Sequence, residues 1–99
     1  MSKTRVLRDV SINIGEFWIA KIKLQQVPKN RNRPDGFKLN CVLIDTRLGK
    51  AVLILDNHHP FGYHLHPNAS EHDQREELEI AHPKEAIQIF FQRIREMTT

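Results

Sequence analysis

The sequence predicts a single α+β domain, in which an antiparallel meander of four or five strands is followed by an amphipathic helix packed on one face of the sheet. Its 99 residues are enough for one domain with one core, so we treat residues 1–99 as a unit. Turn sequences containing glycine or proline separate β-like segments up to residue 66. Near the C-terminus the apolar spacing changes to a helical period, which completes the α+β prediction.

The strands are predicted from alternation of apolar and polar residues and from β-branched and aromatic content. The predicted strands are residues 6–14, 17–24, 37–44, 51–55 and 63–66. Residues 51–55 are apolar throughout, which is typical of a central strand covered from both sides. Residues 45–50, with Gly49, fit a short hairpin loop between two of these strands.

The C-terminal segment carries one apolar stripe. Ile87, Phe90, Phe91 and Ile94 stand at positions i, i+3, i+4 and i+7, which predicts a helix from about residue 83 to residue 97. Proline at position 83 suits the first helical turn. We expect the stripe to pack on the sheet, and the alternative is that it fills a groove on a partner.

The modest net charge of +3 conceals an asymmetry between the two halves of the chain. Residues 1–50 contain eleven Lys or Arg and four Asp or Glu, whereas residues 51–99 contain four and eight. The basic half suits a polyanion such as RNA, and the acidic half suits a partner protein or a second protomer of a homodimer. The alternative is that both sets of charges only solvate an ordinary surface.

The single cysteine excludes an internal disulfide, and Cys41 alternates with Leu39 and Leu43 as a small core residue would. The longest apolar run has five residues, far short of the roughly 20 that a membrane helix needs. No secretory signal pattern is visible at the N-terminus. These features predict a cytoplasmic protein that does not bind membranes.

Histidine is concentrated in residues 56–66, which contain four of the six histidines. The candidate catalytic residues are Asp56, His58, His59, His64 and His66, and Asn57 is a candidate structural residue of the same motif. Because side chains alternate along a strand, His64 and His66 are expected on one face of the sheet.

A basic loop is expected near these histidines. Successive loops of a meander alternate between the two ends of the sheet, so residues 28–36 and residues 58–62 belong to the same end. We therefore predict that Lys29, Arg31 and Arg33 bind phosphate groups beside the histidine cluster.

Three chemical interpretations of the cluster remain open. A His-x-His pair with Asp56 could bind a metal ion, although no cysteine lies nearby and no zinc signature is present. Two imidazoles beside a cationic group could cleave RNA by acid–base catalysis without a metal or other cofactor. The histidines could instead be structural, bonded to backbone carbonyls in a non-catalytic module that binds protein or nucleic acid.

The order of hairpin, Gly49-Lys50, apolar strand, Asp56-Asn57, His58-His59 and His64-x-His66 resembles the TumE-type toxins of prokaryotic toxin–antitoxin modules. The resemblance implies a small α+β protein whose motif comprises Asp56 to His59, His64 and His66. It also implies an antitoxin partner, usually a helix-turn-helix DNA-binding protein. RNA as the target is inferred from the residues and not from the resemblance.

Overall fold

The computed structural model describes residues 4–31, 33–57, 62–66 and 75–98. In these ranges a six-stranded antiparallel sheet is followed by one helix, and the strand order across the sheet is the order along the chain. The elements are β1 (Arg5–Ile14), β2 (Trp18–Gln26), β3 (Phe37–Asp45), β4 (Lys50–Asp56), β5 (His64–His66), β6 (Glu76–Glu77) and α1 (Pro83–Thr98). The predicted α+β meander with a C-terminal helix is therefore confirmed, with six strands where four or five were expected.

The additional strand is β6, which lies beyond the last strand predicted from the sequence, residues 63–66. Glu76 lies opposite Leu65 of β5, and its Oε2 accepts a hydrogen bond from Nη2 of Arg93 in α1 at 2.5 Å. Two consecutive glutamates carry no apolar alternation that could mark a strand. Their conformation is supported by contacts with β5 and α1, which lie elsewhere in the chain.

The core lies between α1 and one face of the sheet. Phe90 and Ile94 of α1 are fully or almost fully buried, as are Leu39, Cys41 and Leu43 of β3. This packing confirms the apolar stripe as the core-facing side of the helix.

The expectation that residues 51–55 are covered from both sides is wrong. Leu53 and Leu55 are buried, but Ala51, Val52 and Ile54 are only half-buried. The reason is that α1 covers one face of the sheet, and the pairing of β3 with β4 is shifted between Leu43 and Ile44. Residues 51–55 are apolar throughout because β4 is a central strand and because its pairing with β3 shifts by one residue.

The face of the sheet opposite α1 carries polar side chains on its central strands. Leu24 and Leu39 are buried toward α1, so their neighbours Lys23 and Lys38 point to the other side. Lys21 lies two residues from Lys23 and shares its orientation, and all three lysines are exposed. We call this surface, defined by Lys21, Lys23 and Lys38, the lysine face.

Candidate functional site

The centre of the candidate site is a buried histidine held by two acceptors. His64 lies directly opposite Asp56 in the register of β4 and β5. Its Nε2 is 2.8 Å from Oδ1 of Asp56, and its Nδ1 is 2.8 Å from the carbonyl oxygen of Gly62. A carboxylate and a carbonyl can only accept, so both contacts are hydrogen bonds only when both ring nitrogens carry protons. His64 is only 3% exposed, and both of its ring nitrogens are in contact with acceptor oxygens.

His66 lies beside His64 on the same face, as alternation predicts. The two ring centroids are 4.9 Å apart and the rings are nearly perpendicular, at 86°. His66 is half-buried, whereas His64 is buried. Of these two histidines, His66 is the better placed to meet a substrate.

Strand register connects this cluster to the lysine face. Lys23 lies opposite Asn40, Asn40 lies opposite Asp56, and Asp56 lies opposite His64. Directly opposed residues on antiparallel strands have Cβ atoms about 5 Å apart and project to one face. The four side chains therefore form one row across β2 to β5.

The site residues predicted from the sequence do not include Lys21, Lys23, Lys38 or Asn40. The signal for the lysines was present, because Lys21 and Lys23 alternate with the buried Ala20, Ile22 and Leu24. The sequence did not give the register, which places Lys23 in one row with Asn40, Asp56 and His64. A cleft of about 410 Å³ adjoins the row and is lined by Asp9, Ser11, Lys21, Lys23 and Asn40, among other residues.

The basic loop lies at the end of the sheet where β4 finishes. Arg33 is half-buried and lines a cleft of about 220 Å³ together with Asn57, Gly62 and Tyr63. The Tyr63 hydroxyl donates a hydrogen bond to Oδ2 of Asp35 at 2.7 Å, which joins the two loop regions. Arg33 therefore shares a cleft with Gly62, whose carbonyl contacts His64.

Lys29 and Arg31 of the same loop are exposed. The stem of Lys29 packs against Gly36, where an added Cβ would lie 3.1 Å from Cγ of Lys29 and 3.2 Å from the Val27 carbonyl oxygen. Gly36 also has a φ of 77°, which favours glycine, so this position fixes the path of the loop. Lys29 and Arg31 are thus exposed to solvent, and the stem of Lys29 packs where the loop meets β3 at Gly36.

Asn57 and Tyr63 are anchoring residues of this end of the sheet. The Asn57 amide accepts from the backbone N–H of Leu39 at 3.0 Å and donates to the carbonyl of Phe37 at 2.8 Å. Burial, followed by the hydrogen bond to Asp35, raises the pKa of Tyr63 well above its ordinary value. Tyr63 is therefore a neutral hydrogen-bond donor near neutral pH.

Two predicted catalytic residues, His58 and His59, lie outside the described residues. Among the residues that the structure does describe, no group of three or more His, Cys, Asp or Glu side chains could hold a metal ion. Within the same ranges no helix is long and apolar enough to cross a membrane.

We compared the chain with protein-family models, curated proteins and solved structures, and none of the three comparisons found a match.

Proposed function

We propose that this protein is a toxin-like component of a toxin–antitoxin module, and that it acts on RNA through the cluster of Asp56, His64 and His66. The observation that supports the proposal is the register of the sheet, which aligns this cluster with the lysine face. Exposed lysines bind nucleic-acid phosphates, and histidine exchanges protons near neutral pH. Cleavage of RNA without a metal requires cationic groups that hold the phosphates and side chains that transfer protons, and the row from β2 to β5 carries both kinds of side chain on one surface.

The proposed reaction is transfer of the phosphodiester to the adjacent ribose 2′-oxygen. A base removes the 2′-hydroxyl proton while the 2′-oxygen bonds to phosphorus, and the bond to the 5′-oxygen breaks. An acid protonates the departing 5′-oxygen, so the products are a 2′,3′-cyclic phosphate and a 5′-hydroxyl. Lysines of the lysine face bind the flanking phosphates, and Arg33 is a further candidate for stabilising the negative charge that develops on the reacting phosphate.

The contacts support different roles for the two described histidines. Both ring nitrogens of His64 already face acceptors, so we assign His64 and Asp56 to positioning the site. His66 is assigned to proton transfer because it is half-buried beside them. The second proton-transfer group is expected from His58 or His59.

The proposal includes a protein partner as well as RNA. The family resemblance supports a helix-turn-helix antitoxin, and the acidic second half of the chain supports contact with a basic protein surface. These partners remain predictions.

Cleavage of RNA in excess chelator is the test of catalysis. We expect the wild-type protein to cleave single-stranded RNA and His66→Ala to lower the rate at least about 100-fold, with unchanged RNA affinity and circular dichroism. Cyclic phosphate ends identify the reaction. Full activity of His66→Ala would overturn the assigned role.

RNA affinity at several salt concentrations tests the lysine face. Replacing Lys21, Lys23 and Lys38 by Gln should weaken binding and reduce the slope of log affinity against log salt by roughly 2, since each neutralised phosphate of a single strand contributes about 0.7. Lys84→Gln is the matched control, because Lys84 is exposed on α1 at the other face. Equal losses in both variants would contradict binding at the lysine face.

A second candidate is a non-catalytic nucleic-acid-binding module. It is favoured by the burial of His64 and by the two acceptors on its ring, which are features of a structural histidine. Salt-dependent RNA binding through the lysine face without any cleavage would support this candidate and overturn the catalytic proposal.

A further inference from the structure

The first strand of the sheet exposes an unusual amount of apolar surface. Seven large hydrophobic side chains are exposed in the described part of the chain, and four of them, Val6, Leu7, Val10 and Ile12, belong to β1. Their exposed fractions are between 39% and 54%. Apolar exposure concentrated on one element marks an interaction surface more often than scattered exposure does.

The same strand is a long edge of the sheet. Among the described strands β1 pairs with β2 alone, so one side of its backbone is available for a further strand. The opposite edge, β6, has two residues and both are glutamates, which is how proteins protect an edge. After an irregularity between Val6 and Arg8, β1 pairs regularly with β2 from Arg8 to Ile14.

We propose that β1 is the interface of a homodimer, in which β1 of a second copy pairs antiparallel with it about a two-fold axis at Ser11. A strand that pairs with its own copy on a two-fold axis has one central residue facing itself. Ser11 is the centre of the regular run Arg8–Ile14, so this register pairs all seven of its residues.

Near the two-fold axis, the cross-strand neighbours in this register are complementary. Toward α1, Val10 of each copy faces Ile12 of the other, which forms a four-residue apolar cluster from side chains that are exposed in one copy. On the lysine face Asp9 faces Asn13, and the two Ser11 side chains meet. A register centred on Asp9 would instead oppose two carboxylates, which is destabilising.

Charge complementarity at the ends of β1 supports a second copy of the chain as the partner that pairs with this edge. Arg5 and Arg8 lie at the start of the strand, and Glu16 follows its end in the turn before β2. Antiparallel pairing brings the basic start of each β1 toward the acidic turn of the other copy. The two lysine faces also become parts of one continuous sheet surface, because pairing preserves the face to which each side chain points.

Site-specific disulfides test the register. Ser11→Cys should form a covalent dimer under mild oxidation, because Cα atoms of directly opposed strand residues lie within disulfide range. Asp9→Cys and Asn13→Cys should each remain largely uncrosslinked alone and should crosslink when mixed, since residue 9 faces residue 13. Wild-type protein is the control, because its Cys41 is buried. Absence of crosslinking in both Ser11→Cys and the mixture would overturn the proposed register.

Sedimentation at micromolar concentration tests the interface itself. The wild-type protein should be a dimer, and Ile12→Lys should raise the dimer dissociation constant at least about tenfold by opposing charge to an apolar cluster. Leu48→Lys is the matched control, because Leu48 is 61% exposed but lies in the β3–β4 turn. A wild-type monomer, including one whose β1 is covered by a different protein, would overturn the proposal.

Discussion

Asn57 illustrates how one side chain can complete the pairing of two strands. Its amide oxygen and nitrogen bond to the backbone of Leu39 and Phe37, so the side chain replaces the strand backbone just after β4 ends at Asp56. The residue is 5% exposed, and the two bonds satisfy an amide that would otherwise be costly to bury. Asn57 thereby fixes the end of β4 from which Asp56 reaches His64.

Replacing Asn57 by Ala should lower the free energy of unfolding by about 2 to 4 kcal/mol. The reason is that one buried backbone N–H and one carbonyl lose their partner, each at about 1 to 3 kcal/mol. Urea unfolding followed by circular dichroism measures the loss. Asn40→Ala is the control, because Asn40 is exposed, and it should change stability by no more than about 0.5 kcal/mol. Equal effects of the two variants would contradict this role of Asn57.

At the scale of the elements, α1 covers one face of the sheet and so completes the hydrophobic core. Its buried positions Ala86, Ile87, Phe90 and Ile94 form the stripe that packs on the sheet, while Phe91 at the margin is half-buried. Glu85 in the first turn and Arg95 in the last turn complement the helix dipole. The helix is therefore specified both by its own sequence and by the sheet that it covers.

The buried position of Phe90 predicts a large loss of stability on truncation. Phe90→Ala should cost about 3 to 5 kcal/mol, because a fully buried ring leaves a cavity. Phe91→Ala removes the same atoms from a half-buried position and should cost clearly less. The denaturant midpoints of both variants measure the two losses of stability. A loss in Phe91→Ala as large as that in Phe90→Ala, or larger, would contradict the assignment of the core face.

At the scale of the whole molecule, the sheet separates two surfaces of different composition. One face is covered by α1 and forms the core, whereas the other presents the lysine face beside Asp56, His64 and His66. Cys41 lies in the middle of this arrangement and is fully buried. Its thiol therefore reports whether the whole molecule is folded.

Cys41 should react with a thiol reagent only when the protein unfolds. Burial, followed by the negative charge of Asp56, raises the pKa of the thiol from 9.0 to about 12. The folded state favours the neutral thiol. The contribution of Cys41 to the free energy of unfolding is therefore fully present below about pH 9 and is lost as the pH rises toward about 12. The rate at which the reagent labels Cys41 in increasing urea measures how often the protein unfolds enough to expose the thiol. Rapid stoichiometric labelling of the native protein at mildly alkaline pH would contradict burial of Cys41.

Local patterns were sufficient to predict several features. The alternation in β2 and β3, the turn glycines and the stripe of α1 predicted the meander and its helix, because local backbone preference and one-sided burial are recorded in residue spacing. Alternation also predicted that His64 and His66 share a face. The polarity of Glu76 and Glu77 gave no indication of β6, which depends on β5 and Arg93.

The sequence by itself determined which residues of β2 and β3 lie on each side of the sheet and where the helix carries its apolar stripe. Only the tertiary structure decided that Lys23, Asn40, Asp56 and His64 form one row, and that both nitrogens of His64 face acceptors. The physical reason is that register depends on loop lengths and on irregularities such as the shift between Leu43 and Ile44. A shift of one residue in strand pairing would move a whole set of side chains to the opposite face, and the period of a single strand does not encode it.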